Sequence, residues 1–111
     1  MWTKIEISKE GFEAIKRYSE SSSVYFFRFD CVETEEESIV CNETSFMLKN
    51  ATYEEMVSVL ISFKYTIDAQ LALLYNYQMD NEKYKEEMEN YQTWRSYCKN
   101  CAQTFFNENV I

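Results

Sequence analysis

"TYEEMVSVLISFKYTIDAQLALLYNY", residues 52 to 77, is the stretch on which the fold turns. Its opening Thr52-Tyr53-Glu54-Glu55 is a capping box, in which the Thr52 hydroxyl and the Glu55 carboxylate each satisfy an orphan backbone donor of a helix start. Behind the box, Tyr53, Met56, Leu60, Phe63, Ile67, Gln70, Leu74 and Tyr77 recur at steps of three and four. That spacing aligns them on one side of a helix of about seven turns. "MDNE", Met79 to Glu82, breaks the pattern with turn-prone Asp80 and Asn81,. A second stripe then runs Tyr84, Met88, Tyr91, Arg95, Cys98, Ala102 and Phe105. Two long helices joined by so short a link run antiparallel, as a helical hairpin, with their stripes turned toward each other or toward a sheet.

Upstream the period changes from helical to two. Residues 2 to 7 alternate, Thr3, Ile5 and Ile7 against Trp2, Lys4 and Glu6, which suits a half-buried strand,. Ser8 offers an N-cap to a short helix over about 9 to 20, with Phe12, Ile15 and Tyr18 or Ser19 at helical spacing,. "SSSVYFFRFDCVE", from Ser21, is rich in β-branched and aromatic residues and places Tyr25, Phe27, Phe29 and Cys31 on its core side,. "TEEE", Thr34 to Glu37, is a polar connection, and "SIVCN" is the returning antiparallel strand of a hairpin,. "TSFMLKN" either continues that strand or makes a third short pairing. The fold class is therefore α+β: a small antiparallel sheet in β-α-β-β order packed against a C-terminal helical hairpin. One domain is expected over residues 1–111, with sheet and short helix in 1–50 and the long helices in 52–106.

Composition narrows the functions open to such a domain. A chain of 111 residues with 46% hydrophobic side chains supports a core of its own,. Nineteen acidic against eleven basic residues, a formal net charge of -8, oppose direct binding to nucleic acid or to an anionic membrane, since both need clustered Lys and Arg,. The same balance favours a basic protein partner. No window reaches the eighteen uncharged residues of a membrane span, and no apolar leader follows Met1, so a cytoplasmic protein is expected,. With no histidine, the commonest general base near neutral pH is missing,. With Gly11 as the single glycine, no Gly-rich phosphate loop can be built,. No cofactor and no catalytic residue is expected.

Two groups of residues carry chemistry of their own. Cys98 and Cys101 have the CxxC spacing of zinc and thiol-redox centres, but they fall well inside the second helix, away from the helix N-terminus that lowers a catalytic thiol's pKa,. Zinc would need four thiolates, Cys31, Cys41, Cys98 and Cys101, with the first pair far wider apart than in ordinary zinc motifs,. The expected metal set is none, the thiols serving as small buried hydrophobes. The second group is acid beside aromatic: Asp30, Glu33, Glu35, Glu36 and Glu37 cluster toward one end of the hairpin, with Tyr25 as an aromatic anchor for a partner,.

Within Phe63 to Ala102, the residues Lys64-Tyr65-Thr66, Asp68, Leu71-Ala72-Leu73-Leu74, Tyr91 and Cys98-Lys99 form a pattern. It resembles the C-terminal helical pair of small uncharacterised proteins from tailed-phage genomes. Gln70 stands where that pattern has an acid, and the N-terminal half has no counterpart in it. The resemblance implies a phage or prophage setting in a bacterial host cell and supplies no catalytic residues. In that setting the expectation is a non-catalytic, acidic inhibitor of a basic host defence protein such as a CRISPR nuclease, competing for its cationic groove. The alternative is a virion or assembly protein, a homodimer or larger oligomer held by apolar contacts that salt does not weaken.

Overall fold

The computed structural model describes residues 2–108. The chain divides into two compact units at the Ala51–Thr52 junction, a sheet unit and a helical unit. The fold class is α+β, with four antiparallel strands followed by three helices.

In the first unit β1 (Thr3–Ser8), β2 (Ile15–Arg17), β3 (Val24–Glu33) and β4 (Ser38–Met47) form one sheet in the order β1-β4-β3-β2. β3 and β4 make the hairpin that period-two patterning calls for, and Thr44 to Met47 continue β4 rather than start another pairing. Tyr25, Phe27 and Phe29 are buried along one face of β3, with Tyr25 stacked on Phe46, its direct cross-strand partner,. The register slips between Phe29 and Val32, so that Asp30 and Cys31 together stand opposite Cys41. This is a β-bulge, and Asp30 absorbs it with a left-handed φ of 53°,.

The short helix over 9 to 20 is not formed. Gly11 takes a φ of 71°, which a helix cannot use, and a Cβ there would meet nothing, so backbone conformation rather than crowding asks for glycine,. Beyond it the chain adds to the open edge of β3: the Arg28 N–H donates to the Ala14 carbonyl at 2.8 Å, and Ile15 pairs with Phe27. Of the helical stripe, only Ile15 is fully buried. Three residues could not cover a helix face, whereas β3 offered a row of unpaired backbone groups.

The second unit holds α1 (Tyr53–Ser62), α2 (Ile67–Met79) and α3 (Lys85–Glu108). Thr52 caps the start of α1 as expected, the Glu55 N–H donating to the Thr52 hydroxyl at 3.2 Å. The long first helix is, however, broken, and α1 and α2 meet at a bend of 79°. Thr66 makes the break. Its backbone is extended and its hydroxyl accepts from the Ala69 N–H at 3.1 Å, so it caps a new helix,. On the other side the Ile61 carbonyl accepts the N–H groups of Lys64 and Tyr65 and the indole N–H of Trp94, the last at 3.1 Å. A donor from α3 thus joins the bonds that close the last turn of α1.

α3 follows its stripe, with Met88, Tyr91, Cys98, Ala102 and Phe105 buried; Trp94 replaces Arg95 at the centre, and Arg95 lies half-buried at the edge. α3 runs antiparallel to the preceding chain: Trp94 meets Ile61 and Lys64, while Tyr91 meets Tyr65 and Gln70 further on. Gln70, the position where an acid was expected, is used as an amide. Its Oε1 accepts from the Tyr91 hydroxyl at 2.7 Å while its Nε2 donates to the Tyr65 carbonyl at 3.1 Å. A carboxylate could make only the first of these bonds. Among the described residues no single helix is long and apolar enough to cross a membrane.

Candidate functional site

The hairpin turn gathers its carboxylates by local hydrogen bonding. The Thr34 N–H donates to the Ser38 carbonyl at 2.9 Å, the two hydroxyls lie 2.6 Å apart, and the Glu36 N–H donates to the Thr34 hydroxyl at 3.2 Å. Glu37 closes the turn with a left-handed φ of 59°. Threonine and serine thus hold the backbone, and Glu35, Glu36 and Glu37 are left with their side chains in solvent,. β1 ends beside this turn and adds two groups that sequence reading missed. The Lys9 ammonium lies 3.1 Å from Glu33, and the Glu6 carboxylate accepts from the Ser38 hydroxyl. Lys9 also donates its backbone N–H to the Glu37 carbonyl at 2.9 Å, which ties β1 to the turn. Both partners of the Lys9–Glu33 pair are largely exposed, so it adds little to stability and removes one unit of negative charge from the tip,.

Of the expected partner-binding residues, Glu33, Glu35, Glu36 and Glu37 stand together at this end. Asp30 is exposed but set back in the bulge, where it accepts from the Asn42 amide at 3.4 Å. Tyr25 is 2% exposed and eight residues from Glu33, about 25 Å along a strand,. It belongs to the core at the opposite end of the hairpin and is no surface anchor. The alternation that places Phe27 and Phe29 inside places Tyr25 inside too.

Among the described residues no group of three or more His, Cys, Asp or Glu side chains is gathered to hold a metal ion. Of the four cysteines, Cys31 is exposed, and the other three are buried. Burial pushes the Cys41 thiol up to about 11, the neighbouring Cys31 thiol adding to the rise and Arg28 opposing it. Burial likewise pushes Cys98 up to about 12, with Cys101 adding and the Lys64 ammonium opposing. Both shifts are opposite to those of a reactive thiolate.

The helical unit carries a feature that no expectation anticipated. Ile67, Leu71, Leu74, Tyr75 and Met79 of α2 are 45 to 72% exposed, and Leu73 is the helix's one fully buried residue. Beside them lies a cleft of about 470 Å³ walled by Val57, Ile61, Ile67, Leu74 and Tyr91, with Arg95 at its edge. The signal was present in the sequence as a helix start at Thr66 with Asp68 in its first turn, which frees residues 67 to 79 from the axis of the helix before it,. No protein-family model, curated protein or solved structure matches the chain.

Proposed function

We propose that the protein is a non-catalytic binding module that inhibits a basic, nucleic-acid-binding host protein, its acidic sheet end entering the partner's cationic groove. The observation that carries this reading is the exposed turn of Glu33, Glu35, Glu36 and Glu37, joined by Glu6 from β1, with Lys9 as the cation paired to it among the described residues. A projecting row of carboxylates offers such a groove what a phosphate backbone offers, in a chain whose formal charge of -8 draws a basic surface in over a Debye length of about 8 Å at physiological salt,. The phage resemblance of residues 63 to 102 supports the setting, a bacterial cytoplasm with a defence nuclease as the target class.

The test is a pull-down from bacterial host lysate, followed by association kinetics on the captured protein. Reversing Glu35, Glu36 and Glu37 to Lys is expected to slow association about tenfold or more at low salt and to leave the melting temperature unchanged, because the three side chains support nothing in the fold. An unchanged association rate would remove the acidic end from the proposal.

A further inference from the structure

From the α2 face we infer that the helical unit is a self-association surface, the apolar side of α2 seating in the cleft of a second copy of this chain. The inference does not rest on the acidic end of the sheet. Ile67, Leu71 and Leu74, and Leu71, Tyr75 and Met79, step by three and four along one side of α2, the anchor spacing of a helix that lies in a groove,. Ile67 and Leu74 are at once part of that exposed side and part of the cleft wall, so projection and receptacle are continuous. The surface is also preset. Gln70, on the same helix, is fastened to Tyr91 of α3 and to the Tyr65 carbonyl, which fixes α2 against α3.

Charge selects the occupant. Over its thirteen residues α2 carries one charged side chain, Asp68, and the cleft carries one, Arg95. Neither makes an ion pair among the described residues. A strongly basic partner would bury cations against a face that offers one carboxylate, and a strongly acidic one would find a single guanidinium. A second copy brings one of each. In a two-fold arrangement Asp68 meets Arg95 of the partner subunit and the reciprocal pair follows by symmetry. Two copies with a formal charge of -8 each can approach here without setting acid against acid,.

The experiment is sedimentation velocity on the full chain and on Leu71→Asp, across a concentration series at low and high salt, with circular dichroism to verify the fold. Leu71 is exposed, so the variant is expected to melt as the parent does while its dimer weakens by about a hundredfold or more, since symmetry places the new charge in the interface twice,. A dimer lost in Leu71→Asp and retained in the Glu35, Glu36 and Glu37 reversal is the expected result. A parent that stays monomeric throughout, or a dimer that survives Leu71→Asp, overturns the inference. So does a monomer that floats with neutral phosphatidylcholine vesicles, because α2 would then be facing lipid. Loss of partner capture in the charge reversal with self-association intact leaves the two surfaces separately assigned.

Discussion

If the CxxC of α3 is packing, Cys98 must be inert in the native protein and ordinary in the unfolded one. Cys98 is 0% exposed, and its thiol stands at about 12 because burial disfavours the thiolate, with Cys101 beside it adding to the effect and Lys64 opposing it. At pH 8 a thiol of that pKa is ionised to about one part in ten thousand, against about one quarter for a free cysteine near 8.5. Iodoacetamide consumes the thiolate, so native Cys98 is expected to label at least about a thousandfold more slowly than in urea, before restricted access slows it further. The assay is pulsed labelling with peptide mapping by mass spectrometry, with the exposed Cys31 as a site open to reagent in the same molecule. The linkage has a definite sign. A folded-state pKa raised above the unfolded value contributes stability that is full below about pH 8.5 and is lost as pH rises toward 12,. Urea stability should therefore fall through that window, and less steeply in Cys98→Ala. Removing the sulfur itself costs about 1–2 kcal/mol as a small cavity. Native labelling of Cys98 within tenfold of the unfolded rate would refute the packing assignment.

The remaining predictions address the helical unit. Thr66→Ala removes the cap that starts α2 and is expected to cost about 1 kcal/mol in urea unfolding followed by circular dichroism; no loss would mean that the 79° bend is set elsewhere,. Tyr91→Phe deletes the hydroxyl bonded to Gln70 and is expected to cost about 1 kcal/mol, with faster hydrogen exchange of α2 amides as the local readout,. Unchanged exchange there would separate the bond from the positioning of α2.

The hairpin, the helical character of most of residues 53 to 105, the cap at Thr52 and the break at Met79 to Glu82 were legible in the sequence, because each depends on groups within a few residues of one another. Period two places Phe27 and Phe29 inside, and threonine with a glutamate three residues on writes its own helix start. The tip acids were legible for the same reason, being bound to a turn that Thr34 and Ser38 close with local hydrogen bonds. Tertiary structure alone decided the rest. Residues 15 to 17 became a strand because the edge of β3 was open, and the last turn of α1 is tied to α3 because Trp94, thirty-three residues on, donates to the Ile61 carbonyl. Periodicity tells which side chains share a side of a helix and is silent about what that side meets. The stripe that buries Met56 and Leu60 therefore runs, past the bend, onto Ile67 and Leu74 in water.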